Sequence, residues 1–288
     1  MGNLVKPTKE QIKGFYEQSL QRVLDGFSKL DDKEWGKKAS DEWTAKEHLA
    51  SLVVTHEKES LTLTKQALAG EPCHVDGFEK RSDMMPFRAK CMQEAVGVPV
   101  PELLDRLRKG VEEHIRMLDA ASEADLEKPA MSPSWDRPGT VRDLFFAAYL
   151  FLPSQYQEIR RVSKKKLPHW VEAGTTEQVN YHMGRIFHYM PLIFRSDKGA
   201  DVTATYLFTM EGAGQWNIAI AGGKAEAGDG APANQDIELK TKPQHWIDLT
   251  SGDLNPITAI MPGPFQKVAI SGSVGLAMKL SDLFSAQE

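Results

Sequence analysis

Two histidines in the segment TAKEHLASLVVTH have a residue type and a spacing that suggest chemistry. His48 and His56 lie eight residues apart, and neutral imidazole is a common ligand of zinc and other transition metals. In a helix this separation spans about two turns, which is too far for both rings to reach one ion. We therefore interpret each as an exposed histidine or as a core histidine with satisfied nitrogens. His114 could still approach His56 across a helical bundle.

The other groups that could act in catalysis lack the partners that a catalytic site needs. Glu112 and Glu113 are adjacent carboxylates, but such a pair is typical of a solvated helix face. His182 and His188 are six residues apart and would not share one face of a helix. The sequence contains no glycine-rich phosphate loop, no GxSxG nucleophile elbow and no HExxH metal motif. We therefore predict no catalytic residue and no cofactor.

The composition is that of an ordinary globular protein and narrows the range of partners. Hydrophobic residues make up 41% and charged residues 26% of the 288 residues. A net charge of −5 argues against a broad nucleic-acid-binding surface, although residues 160–166 contain a local basic patch. No apolar run reaches the ~18 residues of a membrane span. Cys73 and Cys91 are the only cysteines and no secretory signal precedes them. We expect a cytoplasmic protein with no nucleic-acid partner and no integral membrane span.

Residues 1–166 have the apolar periodicity of long helices. The second helix begins at a capping box, in which the Thr44 hydroxyl and the Glu47 carboxylate can satisfy free amides of the first turn. The four predicted helices start near Ile12, Thr44, Val100 and Thr140. One long connection, 71–99, separates the second helix from the third. This pattern predicts a four-helix bundle, through which two copies of the chain could form a homodimer.

Beyond residue 166 the periodicity changes from helical to mixed. Residues 167–174 are predicted to be a linker, and residues 175–288 a second domain that begins with a helix over 175–195. In DVTATYLFTM every second residue is apolar, which indicates a strand, and Gly222-Gly223 indicates a hairpin. We predict an antiparallel sheet of about five strands with helices on one face. The chain as a whole is therefore predicted to be a multi-domain protein of the α and α+β classes.

Several stretches of the second half resemble the sterol carrier protein type-2 domain. They are WNIAIAGGKAEAGDG, QDIELKTKPQHWIDLTSGDLNP and TAIMPGPFQKVAISGSVGLAMKLSDLF. These stretches place Asp236 at the start of a strand and Gly252, Gly263 and Gly272 at the spacing that the family shows. Pro264 departs from the family, which usually carries lysine there. The resemblance, over residues 175–286, implies a hydrophobic tunnel between sheet and helices that holds fatty acyl chains, sterols or similar apolar molecules.

Apolar side chains of the second half are candidates for the lining of such a tunnel, although each taken alone is typical of a filled core. Each ligand methylene that is buried would contribute ~0.8 kcal/mol, so an acyl chain needs no catalytic residue to be retained. The residues that we predict to contact the ligand are Ile186, Met190, Phe194, Phe208, Trp216, Trp246, Ile260, Met261 and Phe265.

The first half resembles the DinB-like four-helix bundle, a fold shared with thiol-dependent maleylpyruvate isomerases. The resemblance rests on DEWTAKEHLASLV and TVRDLFFAAYLFLPSQYQEI. Members of that family commonly bind a divalent metal, usually zinc or nickel, through three histidine or glutamate side chains at one end of the bundle cleft. The corresponding positions here are Ser51, Phe151 and Gln155, none of which is a good zinc ligand. The resemblance therefore implies a bundle whose metal site is lost.

The order of the two halves resembles that of the maleylpyruvate isomerases that use mycothiol. In those enzymes a basic residue of the second domain helps to hold the substrate, but without metal ligands the thiol has nothing to activate it. We interpret the chain as a non-enzymatic protein that binds or carries a hydrophobic small molecule, with the bundle as a scaffold or partner surface. The alternative is a thiol-dependent isomerase or transferase with a non-standard metal site, for instance one that uses His48, His56 or His114.

Overall fold

The chain folds into two compact units. The computed structural model describes residues 7–172, 174–263 and 266–284. Pro7–His169 form the first unit, and the described residues from Trp170 onward form the second. Within these described ranges, no helix is both long enough and apolar enough to cross a membrane.

The first unit consists mainly of helices. They are α1 (Lys9–Phe27), α2 (Asp32–Trp35), α3 (Ala45–Thr55), α4 (Leu61–Ala69), α5 (Met84–Ala95), α6 (Val100–Ala120), α7 (Glu123–Leu126) and α8 (Val141–Arg160). A short antiparallel ladder joins β1 (Pro129–Ala130) to β2 (Gly139–Thr140). A π-helical turn, His56–Ser60, connects α3 directly to α4.

The long helices of the first unit pack as a four-helix bundle, which confirms the predicted architecture. The helical segment α3–α4 contacts both α6 and α8, and α1 contacts the same two helices. The capping boxes predicted at two helix starts are present: the Thr44 hydroxyl accepts the backbone N–H of Glu47, and the Thr140 hydroxyl accepts that of Asp143. The long connection between α4 and α6 contains α5, which packs against α3.

The second unit combines one sheet with five helices among its described residues. The elements are α9 (Thr176–Tyr189), α10 (Ser196–Gly199), β3 (Ala204–Met210), β4 (Gly214–Ala221), β5 (Lys224–Asp229), β6 (Ile237–Thr241), α11 (Pro243–Thr250), α12 (Pro256–Ile260), β7 (Val268–Gly272) and α13 (Val274–Leu283). The five strands lie in the order β5-β4-β3-β6-β7. This number of strands, and the helices around them, agree with the α+β architecture that the sequence predicts.

The direction of one strand pair corrects the prediction of an antiparallel sheet. β3 and β6 run parallel, with Tyr206 opposite Ile237 and Met210 opposite Thr241, so the sheet is mixed. The other three neighbouring pairs are antiparallel. After β5 the chain crosses β4 and β3 through residues 230–236 and enters the sheet in the same direction as β3. Alternation of apolar residues shows which face a side chain occupies but carries no information about strand direction.

The alternation in β3 and β4 brings their largest side chains to one face of the sheet. Tyr206 lies opposite Ile218, and Phe208 lies opposite Trp216. All four are buried. Because these pairs are next to one another on the same face, they form a continuous apolar floor for the helices above.

The end of β7 requires glycine at position 272, because of its backbone conformation and because another residue lies very close to it. Its φ is 93°, a left-handed value that favours glycine, and an added Cβ would collide with the carbonyl oxygen of Asp236. Asp236 in turn joins β6 to β3, because its carboxylate accepts the backbone N–H of Thr205 at 2.8 Å. The spacing of Asp236 and Gly272 in the sequence thus corresponds to a close approach in the fold.

Replacing Gly272 by Ala is therefore expected to destabilise the second unit by about 1–3 kcal/mol through strain and displacement of Asp236. Gly230→Ala is the matched control, since Gly230 also has a positive φ of 73° but has open space where a Cβ would stand. The control is expected to lose about 1 kcal/mol at most. Urea unfolding curves of both variants provide the measurement. Equal losses in the two variants would show that the contact with Asp236 is unimportant.

Candidate functional site

Four aromatic rings form the centre of the second unit, between the sheet and two helices. Phe187 of α9 lies with its ring centroid 4.6 Å from that of Phe208 and 5.2 Å from that of Trp216. Trp246 of α11 lies 5.5 Å from Phe187 and 5.3 Å from Phe208. We call Phe187, Phe208, Trp216 and Trp246 the ring cluster. α9 and α11 are both held to the sheet by these contacts.

The residues predicted to contact a ligand lie in different surroundings. Met190, Phe194, Phe208, Trp216 and Trp246 belong to the buried core, and Ile186 and Ile260 pack against it half-buried. Met261 is 59% exposed. Phe265 lies outside the described residues. The structure thus brings seven of the nine together, and their part in ligand binding stays a prediction. Phe187, which contacts all three other members of the ring cluster, was missed, because one phenylalanine in an amphipathic helix carries no distinguishing signal.

The helices α12 and α13 carry apolar side chains that the fold leaves largely uncovered. In α13 only Leu283 is buried, while Leu276 and Leu280 are half-buried against the core. Exposure of the large apolar side chains is greatest at Ile257, Met261, Val274 and Met278. An apolar surface therefore extends from the packed interior to these two helices.

Hydrogen bonds to the backbone attach α13 to the rest of the second unit. The Tyr206 hydroxyl donates a hydrogen bond of 3.1 Å to the carbonyl oxygen of Leu276. The backbone N–H of Arg195 donates a hydrogen bond of 2.8 Å to the carbonyl oxygen of Leu283. Burial raises the pKa of Tyr206 to about 12, so the phenol keeps its proton and remains a donor. The helix is thus attached near both ends while its apolar side chains are only partly covered.

In the bundle, the three positions that the resemblance assigns to metal ligands make other contacts. The Ser51 hydroxyl lies 3.4 Å from the carbonyl oxygen of Arg88. The guanidinium carbon of Arg88 lies 5.1 Å from the centroid of the Phe151 ring, a cation–π arrangement. The Gln155 side-chain oxygen lies 3.1 Å from Nδ1 of His48. In the part of the chain that the structure describes, no group of three His, Cys, Asp or Glu side chains could hold a metal ion.

His48 is a satisfied, mostly buried histidine. Besides Gln155 it contacts the Ser40 hydroxyl, which lies 3.0 Å from Nε2. Burial is the main cause that lowers the pKa of His48, so the ring is neutral near pH 7. One of the two interpretations given to this histidine, a core residue with satisfied nitrogens, is therefore confirmed.

His56 and His114 meet inside the bundle, where the π-helical turn begins. Their ring centroids are 5.1 Å apart, and both side chains are buried. Nε2 of His114 lies 2.9 Å from the Thr64 hydroxyl, which donates its one hydrogen to the Ser60 carbonyl, so His114 is the donor of this pair. Neither nitrogen of His56 reaches a partner with hydrogen-bond geometry among the described residues, although the ring lies against the backbone of Gly110. The possible approach of these two histidines is confirmed, and an interaction with the Gly110 backbone only partly offsets the effect of burial on the pKa of His56.

Glu59, on the same π-helical turn, is a buried carboxyl that the sequence analysis did not single out. Its Oε2 has no hydrogen-bond partner among the described residues. Burial raises the pKa of Glu59 to about 7, against an opposing effect of Arg88. Burial also lowers the pKa of His56 to about 4. The segment HEKES has no apolar residue that would have indicated burial, yet Glu59 is buried within the π-helical turn.

Comparison with known families agrees with this description of the two units. Residues 16–151 match the model of the DinB superfamily, and residues 195–285 match that of the SCP-2 sterol transfer family. The chain therefore joins a DinB-like bundle to a sterol-carrier-type domain, as the two resemblances predict.

Two solved structures resemble the chain over nearly its whole length. They are crystal structures of a mycothiol-dependent maleylpyruvate isomerase and of a histidine-to-alanine mutant of such an enzyme, with TM-scores of 0.59 and 0.60. Each is 12% identical to this chain and covers 95% of it and 98% of its own length. At this identity the likeness concerns the fold alone. No curated protein matches the sequence significantly.

The opposite pKa shifts of His56 and Glu59 predict opposite effects of pH on stability. The pKa of His56 is lower in the folded than in the unfolded protein, so protonation of His56 favours unfolding. Its contribution to the free energy of unfolding is therefore complete above about pH 6.5 and falls by up to ~3 kcal/mol as the pH decreases to about 4. The pKa of folded Glu59 is raised, so its contribution is present below about pH 4.5 and is lost as pH rises through about 7. The two effects oppose one another between these limits.

Replacing Glu59 by Gln is expected to stabilise the bundle by about 1–3 kcal/mol at about pH 8 and to make stability fall more steeply towards about pH 5. Urea unfolding followed by far-UV circular dichroism at both pH values is the measurement. Glu57→Gln is the matched control, because Glu57 is a partly exposed carboxylate paired with Arg106 and should change stability by less than about 1 kcal/mol. A Glu59→Gln variant that is less stable than wild type at about pH 8 would contradict the prediction.

Proposed function

We propose that the second unit binds or carries a hydrophobic small molecule, such as a fatty acyl chain, a sterol-like molecule or another lipid. The proposal is supported by the match of residues 195–285 to the SCP-2 sterol transfer family. In this proposal the bundle holds no metal and acts as a scaffold or as a surface for a partner. The candidate contacts are the nine apolar residues predicted from the sequence.

The observation that carries the proposal is the apolar surface of α12 and α13. Ile257 is 61% exposed and Val274 is 54% exposed, while the core beneath these helices is apolar. A ligand between α13 and the sheet would cover Leu276 and Leu280, which are only half-buried. Burial of apolar surface contributes about 25 cal/mol per Å², so even a short hydrocarbon chain would be retained without a charged partner.

Ligand binding can be tested on the protein as purified. Native mass spectrometry with solvent extraction is expected to find a bound apolar molecule, and a fluorescent acyl probe is expected to bind to protein freed of lipid. If extraction yields no apolar molecule and the probe fails to bind, the proposed function is wrong.

One pair of variants locates the binding site. Met261→Glu places a charge where an apolar contact is proposed, and should weaken probe binding roughly tenfold because the carboxylate would lose hydration. Thr258→Glu adds the same charge at an exposed polar residue of α12 and is expected to change binding little. Similar affinities of the two variants would exclude Met261 from the site.

The metal-free bundle is a separate part of the proposal. It is supported by the guanidinium of Arg88, a positive charge that lies over Phe151 at one of the positions where the family carries a ligand. The likeness in fold to a mycothiol-dependent maleylpyruvate isomerase keeps a thiol-dependent isomerase as the rival. Elemental analysis of protein expressed with zinc and nickel available is expected to find far less than one metal atom per chain. A stoichiometric metal would favour the rival.

Location and assembly complete the proposal. Cys73 and Cys91 are both free thiols, which supports a cytoplasmic location. The bundle remains a candidate surface for a homodimer, and sedimentation of the purified protein tests this directly.

A further inference from the structure

One polar group in the ring cluster lacks the partner that its chemistry requires. Trp216 is fully buried, and its indole nitrogen finds no hydrogen-bond acceptor among the described residues. A buried indole N–H normally has a partner, because the group loses its hydrogen bond to water on folding. Phenylalanine would fill similar space without this cost, so the N–H of Trp216 needs an explanation.

Among the described residues, the ring that stacks on Trp216 does not supply an aromatic acceptor in its place. Trp216 stacks on Phe187 with an interplanar angle of 21°. Its N–H lies in the plane of the indole, so it runs nearly parallel to the Phe187 ring and cannot point into the ring face. Trp246 differs, since it meets Phe208 at 69° and can direct an edge towards that ring. The indole nitrogen of Trp246 also lacks an acceptor among the described residues, but this geometry offers it a weak substitute.

The hydrophobic core around Trp216 is made of aliphatic and aromatic side chains. The Tyr206 hydroxyl, which could accept a hydrogen bond, donates to Leu276 at the α13 side of the sheet. An oxygen that meets the indole N–H of Trp216 would receive a hydrogen bond from a neutral donor.

We propose that Trp216 donates its indole N–H to a neutral oxygen of the bound molecule. The ligand class is an apolar molecule with one hydroxyl, ester or ketone oxygen that enters the core, while its hydrocarbon part lies towards α12 and α13. This inference rests on the proposed function and deepens it. An ionised carboxylate does not fit, because its burial beside a single neutral donor would cost far more than the hydrogen bond returns. A pure hydrocarbon would leave the N–H unpaired.

Proton–nitrogen NMR spectra of the wild-type chain test the proposal directly. The chain has six tryptophans, so the indole region is simple enough to follow. Dodecanol and methyl dodecanoate are expected to move the indole N–H resonance of Trp216 downfield, as a new hydrogen bond requires. Dodecane is expected to bind without this shift, and dodecanoate to bind more weakly than dodecanol.

Variants then connect the shift to affinity and assign the resonance. Trp216→Phe is expected to weaken dodecanol binding roughly three- to tenfold while dodecane binding stays within about twofold. Phe187→Leu is the matched control from the same ring cluster, since it removes aromatic contact but no donor. It should weaken both ligands by the same factor. Trp246→Phe should affect the preference for dodecanol less than Trp216→Phe does.

The failure of this inference is distinct from the failure of the proposed function. Dodecanol that binds with no shift at Trp216, or dodecane that produces the same shift, would overturn the inference and leave a lipid-binding function intact. Preference for dodecanoate over dodecanol would overturn it equally. If none of the four molecules binds, the proposed function is wrong and the inference falls with it.

Discussion

The pairing of Phe208 with Trp216 across β3 and β4 is the contact around which the second unit is built. Both side chains lie on the same face of the sheet and present an aromatic surface to the helices. Phe187 of α9 stacks on Trp216, and Trp246 of α11 contacts Phe208 edge to face. Tyr206, one pair further along β3, extends the same face and reaches α13. The positions of three helices thus follow from the side-chain alternation of two strands.

Much of this arrangement is encoded locally and could be read from the sequence. Apolar spacing and capping residues located the long helices, and period-two alternation located the strands that face the core. The direction of β6 could not be predicted. A strand alternates apolar and polar side chains in the same way whether a hairpin or a crossing connection leads into it. The exposure of Met261 was equally hidden, since an apolar residue at the end of a short helix shows no difference between a covered and an uncovered position. Both depend on tertiary placement rather than on local preference.

The bundle shows the same division between local and tertiary information. Ser51, Phe151 and Gln155 could be identified by counting from neighbouring motifs, and each has a protein contact in the fold. The burial of Glu59 could not be predicted, because no apolar residue in its segment indicates a buried face. Burial shifts the pKa values of His56 and Glu59 in opposite directions, so their separate effects on stability oppose one another as the pH changes.

The π-helical turn also has a consequence for the helical segment formed by α3 and α4. A single extra residue in a helix rotates everything that follows it by about 100° about the axis. The part before the turn packs against α5, α6 and α8, and the part after it directs Thr64 towards His114 of α6 while it also contacts α8. A one-residue deletion at the turn would therefore rotate the side chains of α4 by about 100° relative to those of α3 and move Thr64 away from His114.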